Sequence, residues 1–196
     1  YMGRGEESDD FELFDEDDDD ETPEHEVTVA ELHLDTFEVT VGRFRAFVTA
    51  YEDGWRPVAT DATHPLIHES GWQTAWNDEL PEDGEELRES LLCDEDFETW
   101  TDEVGDNEQH PINCLSWHLA FAFCAWDYGR LPTEAGWEYA AAGGEDNLLF
   151  PWGSDSPEGR ANHYLEDLED DVAAQPVGSF PSGAGRWGNH DLAGNV

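Results

Sequence analysis

Gly129-Arg130-Leu131-Pro132-Thr133-Glu134-Ala135-Gly136-Trp137-Glu138-Tyr139-Ala140-Ala141-Ala142-Gly143-Gly144 reads as a single helix with both of its ends spelled out. Pro132 fixes the chain ahead of the helix, and Thr133 offers a hydroxyl to the free amides of the first turn. Glu134 stands at the positive end of the helix dipole. Trp137, Tyr139 and the alanines through Ala142 supply the body, with Trp137 expected to face inward, and Gly143 with Gly144 ends it.

Upstream, a helix is predicted from Ser116 to about Asp127. Leu119, Phe121, Phe123, Cys124 and Trp126 make it apolar on nearly every side, the mark of a buried helix. Another starts at the cap Thr40, with Val41, Phe44, Val48 and Tyr51 on one stripe and Arg43 and Arg45 outside it, and stops at Asp53-Gly54. Val27, Val29, Leu32 and Leu34 alternate, which predicts a half-buried strand pair around residues 25–39. Residues 55–112 lack sustained periodicity and read as long irregular segments pinned by Trp55, Trp72, Trp76 and Trp100. Beyond Phe150, Pro, Gly, Asn and Asp dominate and regular structure becomes sparse. No internal repeat is visible.

The chain has 196 residues, with 49 Asp and Glu against 8 basic residues, for a net charge of -41. All eight basic residues are Arg. Such a surface repels nucleic acid, because almost no cation is available to displace phosphate counterions. It suits a salt-rich or calcium-rich setting that screens self-repulsion, or an acidic proteome. With 38% hydrophobic and 12% aromatic residues the chain is too apolar to be wholly disordered. At this length one domain would bury roughly 70% of the surface its unfolded chain exposes. Residues 6–21 hold twelve carboxylates, ending in the run Asp15 to Glu21. That run lacks the ligand spacing and turn glycine of a calcium loop, so a solvated, mobile segment is expected. No stretch has the length of a membrane span and the first residues lack signal-peptide order. The sequence opens on Tyr1 and stops at Gly194-Asn195-Val196, and reads as a fragment.

The stretch 129–144, followed by Phe150-Pro151-Trp152-Gly153, closely resembles the signature of the formylglycine-generating enzyme family, also called the sulfatase-modifying-factor family. Flanking pieces agree in order: Met2-Gly3, Pro23-Glu24-His25-Glu26-Val27, Phe37-Glu38-Val39-Thr40, His110-Pro111-Ile112-Asn113 and Ser116-Trp117. Ala161-Asn162, Pro176-Val177-Gly178 and Leu192-Ala193-Gly194-Asn195-Val196 complete the series. The usual pattern has Glu where Gly136 stands, which would close a capping box with Thr133. It often has Arg where Ala142 stands. The resemblance implies an α+β fold related to C-type lectin-like modules, low in regular secondary structure, with about three helices and short antiparallel strands. Residues 1–22 would form an acidic N-terminal segment and residues 23–196 the family domain, incomplete at its C-terminus.

Members best known in that family oxidise a sulfatase cysteine to formylglycine with oxygen and copper held by two cysteines. That pair lies after the Gly-Asn-Val-Trp-Glu-Trp stretch, within which this sequence stops, so none of its three cysteines takes the catalytic role. Cys124 suits a buried helix. Cys93 and Cys114 either remain thiols or form a disulfide closing the 94–113 loop, worth roughly 3 kcal/mol by loop entropy. Such a bridge, with the family, implies an extracytoplasmic or secreted location. His64 and His68 have helical metal-ligand spacing, but Pro65 argues against a helix there and favours two solvent-facing side chains. His110 is expected to be structural, and the sequence assigns no role to His25 or His118.

Calcium is the cofactor the resemblance implies for this part of the chain. Asn162 and the carbonyl of His163 would belong to one site, completed by Asp170 or Asp171. Asn195 and the carbonyl of Val196 would belong to a second. The same Asn residues can instead satisfy turns. Two functions stand: a copper-dependent oxidase acting on a sulfatase-like partner when intact, and a non-catalytic lectin-like module that binds a ligand or protein.

Overall fold

The computed structural model describes residues 25–163 and 173–196. The expected mobile segment 1–22 and the candidate ligands Asp170 and Asp171 lie outside these residues. Four α-helices are present among the described residues: α1 (Val41–Glu52), α2 (Gly84–Ser90), α3 (Trp117–Trp126) and α4 (Glu134–Ala141). Short 3-10 turns at Thr74–Glu79, Asp106–Gln109, Gly144–Asp146 and Pro181–Gly183 punctuate the connecting coil.

Each helix begins on a side-chain cap. Thr40 accepts from Arg43 N, Asp83 from Glu85 N and Glu86 N, Ser116 from Leu119 N, and Thr133 from Gly136 N. These bonds satisfy amides that the first turn cannot pair within itself. α1 forms the centre of the core: Val41, Phe44, Phe47, Val48 and Tyr51 are buried on one face, as the spacing predicts. Phe44 stacks on Phe123 of α3 with ring centroids 5.2 Å apart, and Phe47 meets Tyr51, Trp55 and Phe123 edge-on. Leu87 and Leu91 close the core from α2 and its end.

The four tryptophans expected to pin residues 55–112 do so. Trp72 and Trp100 are buried, and Trp55 and Trp76 pack against the core. Contrary to expectation, this stretch also contains α2. One turn of apolar periodicity is too short to announce a helix, although Asp83 ahead of Glu85-Glu86-Leu87 is its capping signal. Cys93 and Cys114 are joined in a disulfide that closes the loop between them. Within that loop Asn113 Oδ1 accepts from both Thr99 N and Thr99 Oγ1, and Asn113 Nδ2 donates to Phe97 O.

Three expectations are corrected. First, the strand pair around residues 25–39 is absent among the described residues; the antiparallel bridges between described residues are single ones, Thr40 with Pro111 and Phe150 with Gly153. The alternation survives: Val27, Val29, Leu32 and Leu34 are half-buried while Thr28, Glu31 and His33 are exposed. Nothing between Val29 and Leu32 supplies the turn chemistry that would fold the run back on itself, and its phase slips by one residue at Ala30-Glu31. Second, Trp137 points outward at 46% exposed; α4 turns Gly136 and Ala140 to the interior instead. Third, α3 is buried through Leu119, Phe121, Ala122 and Phe123 but leaves Trp117 53% exposed at its first turn.

Candidate functional site

A junction held by several hydrogen bonds lies where the segment leading into α1 meets the C-terminal turns. Asn189 Nδ2 donates to Asp35 O at 2.8 Å and His190 N to Thr36 O at 2.8 Å. The His190 ring stacks on Phe37 with centroids 5.0 Å apart. A glycine is required where Gly178 meets Phe37: a Cβ there would lie 2.6 Å from the Phe37 ring, and its φ is +73°. Gly178 N donates to Asp191 Oδ2 at 2.6 Å, which ties this turn to the next.

Asn195 sits at the centre, with its residue 9% exposed. Its N–H donates to Asn162 O at 3.0 Å. Asn195 Oδ1 accepts from Gln175 N at 2.9 Å and Asn162 Nδ2 at 3.4 Å; Asn195 Nδ2 donates to Glu38 Oε2 at 2.7 Å and Gln175 O at 3.2 Å. All donor and acceptor sites of that amide are therefore engaged. Gly194 allows the approach, because a Cβ there would lie 2.2 Å from Asn162 O.

Glu38 is the site residue that sequence reasoning missed. Burial pushes its carboxyl up to about 7, the Asn195 amide pulls it back, and the charge of Asp191 adds to the rise. It lines a cleft of about 430 Å³ together with Asp35, Phe37, Arg43 and Gln109. Arg43 faces Asp35 at 2.6 Å and also pairs with Asp127. A carboxyl held near neutrality can take up or release a proton, and the hydroxyls of Thr36 and Thr40 line the same cleft.

The structure thus brings Asn162 and Asn195, expected in two separate sites, into direct contact. Their fitness for calcium differs. Asn195 Oδ1 already accepts two N–H groups and has no lone pair to give, so this conformation does not fit Asn195 as a ligand. Asn162 spends its Nδ2 on Ala173 O and Asn195, leaving Oδ1 uncommitted and able to join a hard-cation site with the His163 carbonyl. Val196 follows Asn195 as an exposed residue. Buried ring nitrogens without a partner occur at His110 Nδ1, His163 Nε2 and His190 Nδ1. Elsewhere, His64 Nδ1 accepts Leu66 N and His68 is exposed.

Copper does not fit the thiols present. Cys93 and Cys114 are spent on each other, and Cys124 stands alone. Burial on α3 pushes the Cys124 thiol up to about 11, with the nearby charge of Asp35 adding to the rise. No helix among the described residues is long and apolar enough to cross a membrane.

Comparison with known proteins accords with this architecture. The family model for the sulfatase-modifying factor enzyme 1-like domain matches residues 3–196. The inactive C-alpha-formylglycine-generating enzyme 2 of Bos taurus is 33% identical over 193 residues, covering 91% of this chain and 62% of the relative. The formylglycine-generating enzyme of Mus musculus is 29% identical over 201 residues, covering 91% of this chain and 50% of its own length. That of Streptomyces coelicolor is 31% identical over 199 residues, covering 91% and 60%. The chain therefore spans between 50% and 62% of these relatives.

Proposed function

Because the chain belongs to the sulfatase-modifying-factor family, we propose that residues 1–196 form the scaffold of a protein that oxidises a cysteine of a sulfatase-like polypeptide to formylglycine. The observation that carries this reading is the family match along nearly the whole chain, which includes relatives named as formylglycine-generating enzymes. Copper and oxygen would supply the oxidation. No step is assigned to copper within this chain, whose cysteines offer one disulfide and one buried thiol. The product of the whole reading frame, incubated with copper, oxygen and a cysteine peptide from a sulfatase, is expected to yield formylglycine by mass spectrometry. Residues 1–196 alone are expected to yield none, and conversion by them would overturn the scaffold assignment.

A second reading is a non-catalytic module on the same lectin-like scaffold. The likeness to a relative named inactive favours it, since the match does not separate active from inactive members. Failure of the whole product to convert the peptide, with Cys93–Cys114 intact, would select this reading. Calcium belongs to both, bound at Asn162 with backbone carbonyls. Millimolar calcium is expected to raise Tm in the wild type and not in Asn162→Ala; an unchanged wild-type Tm would remove calcium from the account. The disulfide supports an extracytoplasmic or secreted setting.

A further inference from the structure

Residues 26–33 run extended, yet among the described residues none of their backbone N–H or C=O groups has a protein partner. The nearest anchor is Asn189 Nδ2, which reaches Leu34 O and Asp35 O. A row of unpaired donors and acceptors on an extended chain is the template to which another strand adds. Beside this row lies a groove of about 930 Å³, whose opposite wall is made by Ala135, Tyr139 and Ala140 of α4 and by Trp187. Tyr139 and Trp187 stack with centroids 5.1 Å apart and planes 20° from parallel, and both are exposed. Gly144 makes room for the pair, because a Cβ there would stand 3.0 Å from the Tyr139 ring.

Charge selects the occupant. The acids of the groove are Glu26, Glu31 and Glu145, and no arginine lines it. A second copy of the chain would bring another -41 to the same edge, which opposes pairing at moderate salt. A cationic strand meets the opposite balance. We infer that residues 26–33 are an acceptor edge for an extended basic segment of a partner polypeptide, which adds as a strand along this edge, in the groove beside α4. Alternate apolar side chains of the added strand would face Tyr139 and Trp187, and its basic ones the glutamates. This inference is independent of the oxidase reading.

The test titrates a labelled peptide alternating valine and arginine into the purified chain at about 0.15 M salt. Its control is the same peptide methylated on alternate backbone nitrogens, which keeps the charge and removes the strand donors. Binding by anisotropy is expected to weaken at least roughly tenfold on methylation. Amide exchange is expected to slow at residues 26–33 with the unmodified peptide alone. Thr28→Pro, which removes an exposed and unpartnered N–H, should weaken binding to a similar degree and leave Tm unchanged. Equal binding of both peptides would reduce the effect to charge attraction and overturn the inference. So would protection of 26–33 through dimerisation without any peptide, which would give the edge to a second copy.

Discussion

Glu38 carries a proton balance opposite to that of most surface carboxylates. Its folded value of about 7 lies above its ordinary value of 4.5, so the fold favours the protonated form. The associated stability is fully present below pH 4.5 and is lost as pH rises through 7. In calcium-free buffer, Glu38→Gln is therefore expected to melt above the wild type at pH 8 and level with it near pH 4.5. Thermal melts across that window check this, and a difference constant with pH would remove Glu38 as the cause. Cys124 gives a second test at this scale. Its rise from 9.0 to about 11 leaves about a hundredfold less thiolate at a given pH. Maleimide labelling at pH 8 should be slower than in denaturant by a similar factor, as mass spectrometry of timed samples would record. The buried setting of Cys124 was legible from its helix. The role of Glu38 was not, because its partners come from Asn195 and Asp191, far along the chain, and a sequence pattern carries no signal for such convergence.

The helices α1, α3 and α4 were legible to within a residue or so, because each has an oxygen-bearing cap, a run of good packing residues and a stop. What propensity could not fix was rotation about the helix axis. In α4 the small residues Gly136 and Ala140 face inward because a neighbouring segment comes close: a Cβ on Gly136 would meet Leu32 at 3.4 Å and Thr133 Oγ1 at 3.1 Å. The bulk of Trp137 has no room there. Two substitutions separate cap from packing. Thr133→Ala should cost about 1 kcal/mol in denaturant unfolding through loss of the bond to Gly136 N. Gly136→Ala should gain up to about 1 kcal/mol, since the contacts are tight but Leu32 belongs to a segment free to shift. A loss on Gly136→Ala would show that the Thr133 hydroxyl or Leu32 is held fixed. The extended run 26–33 was legible as alternation but not as an unpaired edge, because pairing depends on what lies opposite and not on the strand's own residues.

For the whole molecule, charge and cross-linking set the stability. With a net charge of -41, self-repulsion should be relieved by screening, so Tm should climb as salt rises from about 0.01 M to about 1 M. An unchanged Tm would mean that the carboxylates are already neutralised locally. Reduction of Cys93–Cys114 should cost about 3 kcal/mol in unfolding, given the 21-residue separation. The sparse cations have been placed with economy. Of the seven arginines among the described residues, six are engaged: Arg43 with Asp35 and Asp127, Arg45 with Glu108, Arg56 with backbone carbonyls, Arg88 with Glu52, Arg160 with Asp155 and Arg186 with Asp146. Trypsin cuts only beside lysine or arginine, and this chain has no lysine. Six of its eight cleavage points thus coincide with paired arginines, Arg130 and Arg4 standing apart from them, and Arg56 is further protected by Pro57. Digestion rate becomes a built-in clock for opening of the native state: tryptic fragments from α1 and α2 should appear only as fast as those helices come apart.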